Sequence, residues 1–478
     1  MALLRSRVRS LSLFTKSTPV PSPPPPTPAP PPESPEQRDL VIVGGGPAGL
    51  TLAAALASKP SIANTHSITL LEAFSLNQSR EWTPQPHRWS NRASSITADN
   101  IRFLTQAGIW QHVDQTRTRP IEEMQVWDGL SDARIDFSAP LSSSTSSSAS
   151  ASSTSTSWDE AYLSALRPPR SSMSTMIENI NLQRAALRRI DELKQAGARV
   201  EIVEGSKVSV KEGEGAWPVV KLEGQEGKQI RARLLIGADG YNSPVKSYSE
   251  IETFGWAYDR HGVVASMEIE APPPGREGEG MRTAWQRFLP EGPVAFLPLS
   301  DTHASLVWST TPAIASLLKA LPNSVLPVLI NAAFTLPYPQ LSSFLSSLPP
   351  PPPPSSSTSS SSSASSLYDA PTLTSHVQSL LETHSRSTYD PSHPPPALPP
   401  SITSISPTSL ASFPLRLSHV SSYLGLPTEN GEDRRTVLVG DAAHTVHPLA
   451  GQGLNAGLGD CEVLSEVLEG RAGEGGDL

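Results

Sequence analysis

The sequence predicts an α/β protein that combines a Rossmann-like dinucleotide-binding domain with a second, mainly antiparallel β-sheet domain. Three observations lead to this prediction. Near the start of the chain, a glycine-rich turn joins a buried apolar strand to a helix. Two later apolar strands end in Asp-Gly and in Gly-Asp, and between them short strands alternate with turns. The first two features are typical of a doubly wound sheet, and the third is typical of antiparallel strands.

The glycine-rich turn follows the apolar run 40–43, which predicts a buried strand. Gly44, Gly46 and Gly49 form the pattern G-x-G-x-x-G, and residues 47–56 predict a helix that opens with proline. The first glycine permits the tight turn, the second lets the backbone approach a pyrophosphate, and the third lets the helix lie close to the sheet. The N–H groups at the start of the helix then face the phosphates.

Glu72 completes this pattern. It follows a second apolar strand, 67–71, at the position where a carboxylate accepts hydrogen bonds from both hydroxyls of an adenosine ribose. Strand, glycine turn, helix, strand and acid occur in this order over roughly 30 residues, which is the context that the motif requires. The alternative is an ordinary α/β turn with Glu72 as a solvated surface acid.

Periodicity and turn residues predict the elements that follow. An amphipathic helix carries Ile101 and Leu104 on its inner face, and a longer helix covers 177–195. Strands are expected at 124–128, 133–137, 199–203, 216–222 and 232–237, and then at 263–269, 284–289, 294–299 and 304–310.

The chain divides into segments of different composition. We expect a dinucleotide-binding domain at 38–250, a substrate domain at 251–424 and a C-terminal part of the first domain at 425–478. The serine-rich tract 142–157 and the proline- and serine-rich tract 349–366 cannot bury enough apolar surface to offset ordering. Both are therefore predicted to be disordered insertions.

Asp239 and Asp441 follow two of the apolar strands, so both are expected at the same edge of the sheet as the glycine turn. An aspartate at this edge can accept hydrogen bonds from ribityl hydroxyls. The helix that opens at 451–455, and so includes Gly453, Leu454 and Asn455 in its start, can direct its N–H groups at the pyrimidine edge of a flavin. That field favours negative charge on the reduced ring.

Composition excludes several classes of function. The net charge of −9 argues against nucleic acid as a partner. Cys461 is the single cysteine, which excludes disulfides and a cysteine metal cluster, and no apolar run is long enough for a transmembrane helix. His444 and His447 lack further ligands nearby, so we expect loop and packing residues and no metal site.

The N-terminus is basic, contains serine and lacks acids up to Glu33. These features predict a mitochondrial transit peptide at 1–18, followed by a proline-rich linker at 19–37. A disordered basic tail is the alternative.

Together these motifs resemble the single-component, FAD-dependent aromatic hydroxylases, and most closely those of mitochondrial ubiquinone biosynthesis. The matching segments are 43–49, 91–96, 237–240, 287–298 and 440–455, within a resemblance that spans 38–470. The fold implied is that of p-hydroxybenzoate hydroxylase. Members of the family continue past the last helix with further helical segments, so 425–478 is expected to be truncated.

The resemblance implies FAD as the cofactor and assigns no general base, so the catalytic residues remain unknown. The implied FAD-binding residues are Gly44, Gly46, Gly49, Glu72, Arg92, Gln183 (with Arg184 adjacent), Asp239, Asp441, Gly453, Leu454 and Asn455. In the family reaction, O2 forms a C4a-hydroperoxide on reduced FAD. The ring of a polyprenyl 4-hydroxybenzoate-derived phenol then attacks its distal oxygen.

A single complete dinucleotide fingerprint implies no separate NADPH domain, so ferredoxin and ferredoxin reductase are the expected electron donors. The resemblance also implies a peripheral position on the matrix side of the mitochondrial inner membrane, within a ubiquinone-biosynthesis complex. Three alternatives remain: a hydroxylase of soluble phenols, an inactive flavin-binding subunit, and a flavin dehydrogenase or reductase of isoprenoids.

Overall fold

The computed structural model describes residues 34–139, 172–224, 228–271, 281–351, 367–388, 398–448 and 451–475. The predicted transit peptide at 1–18 and the predicted insertion at 142–157 lie outside these ranges. So do most of the predicted linker at 19–37 and most of the predicted insertion at 349–366. The first strand begins at Glu36, within the predicted linker.

A mostly parallel sheet forms the first layer. Its strands, numbered in chain order, are β1 (Glu36–Val43), β2 (Ile68–Leu71), β8 (Val200–Val203), β9 (Val208–Glu212), β10 (Pro218–Leu222), β11 (Gln229–Gly237) and β18 (Thr436–Leu438). The order is β8-β2-β1-β11-β10-β9, and β18 pairs in parallel with the last residues of β11. The carboxyl ends of β8, β2, β1, β11 and β18 therefore meet at one edge, which is where open α/β sheets bind ligands.

Helices pack on this sheet because β1 and β2 are apolar on both faces. The helices of this part of the chain are α1 (Pro47–Ala57), α2 (Pro60–Ala63), α3 (Asn77–Arg80), α4 (Ala98–Gln106), α5 (Asn179–Gln195), α6 (Pro244–Tyr248) and α11 (Gln452–Gly473). Leu50, Leu182 and Leu458 belong to the core that joins α1, α5 and α11. Cys461 is fully buried in the same core.

A second, larger sheet is mainly antiparallel. Its strands are β5 (Glu123–Asp128), β6 (Arg134–Ser138), β12 (Thr253–Ile269), β13 (Thr283–Leu289), β14 (Gly292–Pro298), β15 (His303–Thr310), β16 (Ile402–Ile405), β17 (Ala411–Val420) and β19 (His444–Thr445). The main order is β19-β17-β12-β15-β14-β13-β5-β6. The strands β5, β6 and β19 lie outside the segment 251–424, so both halves of the predicted first domain contribute to this sheet.

Four helices cover one face of the large sheet. They are α7 (Pro312–Ala320), α8 (Leu326–Thr335), α9 (Tyr338–Ser347) and α10 (Ala370–Thr388). Trp308, Phe296 and Phe334 lie in the core between them and the sheet. Sequence patterns did not predict these helices.

A small antiparallel sheet joins the two large ones and corrects one prediction. It consists of β3 (Ala93–Thr97), β4 (Thr118–Ile121) and β7 (Ser174–Glu178). The helix predicted over 177–195 begins at Asn179, because the residues before it pair with β3 and β4. Most of the segment 91–96 belongs to β3, which leads directly into α4.

Candidate cofactor site and adjoining sheet face

The glycine turn has the close contacts that its pattern predicts. Gly44 has φ of +111°, and a Cβ added there would lie 2.3 Å from the carbonyl oxygen of Ala238. A Cβ on Gly49 would lie 1.9 Å from the carbonyl oxygen of Gly44. Around Gly46, in contrast, no described atom lies within 4 Å of an added Cβ. This open space in front of the helix start is where a pyrophosphate would bind.

Glu72 lies beside this turn, at the end of β2. Its carboxylate accepts hydrogen bonds from the backbone N–H of Gly45 and, at 2.9 Å, from that of Phe74. These bonds hold the carboxylate next to the glycine turn. The structure thus places Glu72 beside the glycine turn, and its contact with a ribose stays a prediction.

Gln183 reaches the same turn from α5. Its Nε2 donates to the carbonyl oxygen of Gly45 at 3.2 Å. The neighbouring Arg184 points into the protein, where its guanidinium lies 4.8 Å from the ring centre of Trp82. Of this predicted pair, only Gln183 contacts the glycine turn.

Asp239 follows β11 at the same edge. Both of its carboxylate oxygens are buried and form no hydrogen bond of standard geometry with the described residues. Burial raises the pKa of this carboxyl to about 6, against smaller opposing effects of the nearby Ser243 hydroxyl and Val245 N–H, which lie too far away or at too poor an angle to satisfy it. A buried acceptor without a donor is costly, so this carboxylate fits a ligand that brings hydroxyl groups.

We expect the affinity for FAD to depend on the ionisation of Asp239. Donors on a bound ribityl chain would lower the pKa of this carboxyl below its value of about 6 in the free protein. Binding is therefore strongest above pH 6 and weakens by up to about tenfold per pH unit below it. Titration of the apoprotein with FAD at several pH values measures this. The variant Asp239→Asn should bind more weakly at neutral pH and lose the dependence, and an unchanged slope in that variant would contradict the prediction.

Asp441 lies at the end of β18, one strand from Asp239. Its side chain is exposed at the surface of the protein. The protein around the carboxyl still removes part of its solvation, and this burial raises its pKa. The turn that carries it is fixed by Asp460 on α11. The Asp460 carboxylate accepts from the backbone N–H of Gly440 at 2.8 Å and pairs with His444 Nε2 at 2.7 Å, which raises the pKa of His444.

The start of α11 lies against the small sheet. Gly451 has φ of +61°, and no described atom lies within 4 Å of a Cβ added to Gly453. Leu454 packs against the core, and Asn455 is buried. The Asn455 carboxamide donates to Ser95 O at 2.7 Å and accepts from the N–H of Thr97 at 3.0 Å. Its side chain therefore fixes the helix start, and the backbone around Gly453 faces open space.

Arg92 is exposed and lies immediately before β3. Its carbonyl oxygen accepts from the N–H of Asn179, the first residue of the helix that carries Gln183. The backbone thus links Arg92 to the glycine turn through α5. The phosphate contact of this side chain stays a prediction.

Sequence reasoning missed two groups that hold the site together. Asp460 is one, and its signal is an acid on the largely apolar and small-residue stretch of α11 that packs on the sheet. The other is the buried pair of Arg117 and Glu178, which supports the loop before Arg92. Asp460 pairs with His444, and Arg117 pairs with Glu178. The partners belong to different elements, so the spacing of these residues in the sequence does not predict the pairing.

The face of the large sheet that the four helices leave uncovered lies toward the small sheet. Val264, Val307 and Ala295 pair in one row across β12, β15 and β14, and each is partly exposed. Ser309 lies on the same face at the end of β15. The row of Val264, Val307 and Ala295 is apolar, and the hydroxyl groups of Ser266, Ser305 and Ser309 lie on either side of it on the same face. A separate pocket of about 260 Å³, lined by Trp308 and Leu317, lies on the opposite side of the sheet and does not border this face.

Neither a membrane span nor a metal centre occurs in the described ranges. There, no helix combines the length and the apolarity needed to cross a bilayer. In the same ranges, no three His, Cys, Asp or Glu side chains come together as a metal site would require.

The residues at the carboxyl edge fit FAD. Asp239 has two unpartnered buried acceptors, Gly46 and Gly453 border open space, and Glu72 and Gln183 flank the turn. These groups suit a ribityl chain, a pyrophosphate and a ribose. When bound, FAD supplies the activation of O2 and the transfer of one oxygen atom.

Comparison with known proteins agrees with this assignment. The model of the FAD binding domain family matches residues 37–316 and 404–476. The mitochondrial ubiquinone biosynthesis monooxygenase COQ6 of Saccharomyces cerevisiae is 34% identical over 444 residues, which cover 91% of this chain and 79% of that protein. The protein of the same name from Homo sapiens is 30% identical over 450 residues, with coverages of 92% and 78%.

Solved structures show the same fold. The p-nitrophenol 4-monooxygenase PnpA of Pseudomonas putida has a TM-score of 0.52 at 15% identity, covering 92% of this chain and 82% of that one. PqsL of Pseudomonas aeruginosa has a TM-score of 0.52 at 17% identity, with coverages of 91% and 87%. From the family match, the identities and the geometry of the site, the chain belongs to the FAD-dependent monooxygenases and, within them, to the family of mitochondrial ubiquinone biosynthesis monooxygenases.

Proposed function

We propose that this chain hydroxylates the aromatic ring of a polyprenyl 4-hydroxybenzoate-derived intermediate of ubiquinone biosynthesis. The observation that carries the proposal is the apolar row of Val264, Val307 and Ala295 on the uncovered sheet face, which Ser309 connects to His447 in the segment before α11. A substrate ring on this face lies next to the edge that fits FAD. An apolar surface with few hydroxyl groups suits a prenylated phenol better than a charged metabolite.

Within this proposal, each predicted cofactor residue has a defined task. Gly44, Gly46 and Gly49 shape the phosphate-binding turn, Glu72 accepts from the adenosine ribose, and Asp239 and Asp441 accept from the ribityl chain. The phosphates are contacted by Arg92 and Gln183. The helix start that faces the flavin is formed by Gly453, Leu454 and Asn455. The apolar sheet face excludes water from the reacting atoms.

The proposed electron donor is a ferredoxin reduced by ferredoxin reductase. Beside Asp239, the exposed Tyr241 ring lies between two cations, 5.2 Å from Lys246 Nζ and 5.1 Å from the Arg416 guanidinium. A cationic surface next to the cofactor edge suits an acidic electron carrier, because complementary charge speeds its docking.

The proposed location is the matrix side of the mitochondrial inner membrane, with peripheral attachment and membership of a ubiquinone-biosynthesis complex. The relatives carry the word mitochondrial in their names, and residues 1–17 of this chain are basic and acid-poor. A substrate with a long isoprenoid tail partitions into a bilayer, so its enzyme must work at a membrane surface.

Product analysis tests the reaction. Purified protein loaded with FAD is given a polyprenyl 4-hydroxybenzoate, O2 and either the ferredoxin system or NADPH alone, and the products are identified by mass spectrometry. We expect one added oxygen atom, formed only with the ferredoxin system. Equal turnover with NADPH alone would contradict the proposed donor. Equal specificity constants for short soluble phenols would contradict the proposed substrate.

A substitution on the cationic surface tests the donor independently. In Lys246→Glu/Arg416→Glu, we expect the rate of flavin reduction by ferredoxin to fall at least about tenfold and to lose its dependence on salt. Reduction by dithionite should not change, which controls for damage to the cofactor site. An unchanged rate with ferredoxin would show that the carrier docks elsewhere.

A further inference from the structure

His447 lies where the uncovered face of the large sheet meets the segment that leads into α11. Its Nε2 is 3.5 Å from Ser309 Oγ, at the end of β15. Its ring meets the ring of Tyr258 on β12 edge-on, with 5.0 Å between centres and an angle of 82°. His447 thus contacts two strands of the large sheet, four residues before the glycine that begins α11.

Burial lowers the pKa of His447, which favours the neutral form of its imidazole. His444 differs, since its pKa is raised by Asp460. The Nδ1 of His447 is buried and has no partner among the described residues. A buried N–H group without an acceptor is rarer in proteins than a buried acceptor without a donor. Nδ1 is therefore assigned as the unprotonated nitrogen, and the proton is placed on Nε2. Nε2–H is then a donor that faces Ser309.

This donor lies in line with the proposed substrate surface. Val264 pairs with Val307, and two residues further along the same strands Gly262 pairs with Ser309. Side chains two apart on a strand share a face, so Ser309 continues the row of Val307 toward His447. A ring that rests on Val264 and Val307 has its edge at Ser309 and His447.

We propose that His447 Nε2–H and the Ser309 hydroxyl together bind the phenolic oxygen of the substrate as a phenolate. This inference rests on the proposed function. On binding, the phenol loses its proton to water, and the two donors stabilise the oxygen anion. The negative charge raises electron density at the carbons ortho and para to that oxygen. These carbons are the ones that attack an electrophilic oxygen atom.

The test uses the FAD-loaded protein and two substitutions at one position. His447→Phe keeps a ring against Tyr258 but removes the donor, and His447→Gln restores an N–H donor. We expect product formation to fall about 10- to 100-fold in His447→Phe, with more hydrogen peroxide released per O2 consumed, and to recover partly in His447→Gln. The control is His376→Gln, an exposed histidine on α10 that packs on Phe344.

A spectroscopic readout separates this role from packing. A prenylated 4-nitrophenol is used as the probe, because its colour reports its ionisation. The pKa of the bound probe should be lowest in the wild type, higher in Ser309→Ala and highest in His447→Phe. Flavin content and melting temperature are measured in parallel and identify a variant that fails to fold. If His447→Phe fails to fold, the comparison of the wild type with His447→Gln and Ser309→Ala tests the inference instead.

Three results would overturn the inference. If the wild type and His447→Phe released the same amount of hydrogen peroxide per O2 consumed and gave the bound probe the same pKa, the role of His447 would be refuted. The proposed function would not be affected by that result. A loss in His447→Gln as large as in His447→Phe, with normal folding, would assign the residue to shape and not to donation. A wild type that hydroxylates no phenol would refute the proposed function and this inference with it.

Discussion

Replacing Gly49 with alanine is expected to lower the free energy of unfolding by about 3 kcal/mol, a large share of the stability of a typical domain. The added Cβ would lie 1.9 Å from the carbonyl oxygen of Gly44, which is backbone and cannot rotate away. Relief requires α1 to move off the sheet, and α1 packs against both α5 and α11. Urea denaturation of the apoprotein measures the loss.

Gly46 provides the matched control three residues away. No described atom lies within 4 Å of a Cβ added there, and its backbone is extended with φ of −70°, which alanine adopts without strain. We expect Gly46→Ala to leave the urea midpoint of the apoprotein unchanged and to weaken FAD binding by at least about tenfold, since the methyl group enters the phosphate space. Equal stability losses in both variants, or normal FAD binding by Gly46→Ala, would show that this space does not hold the cofactor.

This contrast shows which part of the site was predictable from the sequence. A glycine turn, the acid after β2 and the aspartates after β11 and β18 are local features, each attached to its own apolar strand. Because parallel strands end at one edge, local features of this kind are brought together by topology alone. Glu72, Asp239 and Asp441 could therefore be assigned to this edge from the sequence.

Features that depend on contacts between distant segments could not be predicted. The helices α7 to α10 were missed, although Thr311 caps α7 by accepting from the N–H of Ile314, and Pro312 opens it. Proline-rich and serine-rich stretches nearby hid the signal. The roles of Asp460 and His447 depend on which strand each one meets, and an isolated acid or histidine in a sequence does not reveal this. Asn455 lies at the start of α11, but its carboxamide is bonded to β3, a contact that the sequence did not predict.

The pair of Arg117 and Glu178 is a further case of long-range organisation. Arg117 Nε lies 2.8 Å from a carboxylate oxygen of Glu178, and both side chains are almost fully buried. The same guanidinium donates to the carbonyl oxygens of Gln85 and Arg88 and lies 3.4 Å from the ring centre of Trp89. The other Glu178 oxygen accepts from the N–H of Ser90 at 2.7 Å. One buried pair thus fixes the loop that leads to Arg92.

Removing one partner of this pair is expected to be costly. In Arg117→Met, Glu178 stays buried without its counter-ion, and the loop 85–90 loses two carbonyl partners. We expect the free energy of unfolding to fall by about 3–5 kcal/mol, as measured by urea denaturation. Affinity for FAD should fall as well, because the loop positions Arg92.

Two comparisons separate the charge effect from lost packing. In Arg117→Met/Glu178→Gln, no unpaired charge is buried, so we expect part of the stability to return, which makes the two substitutions non-additive. Arg102→Met removes an exposed pair with Asp99, whose side chains are 60% and 79% exposed, and should cost less than about 1 kcal/mol. If Arg117→Met cost no more than Arg102→Met, the buried pair would not be what holds the loop. The double substitution could instead lower the free energy of unfolding by the sum of the effects of Arg117→Met and Glu178→Gln. In that case the contacts of Arg117 with the two carbonyl groups would contribute more than its charge pair with Glu178.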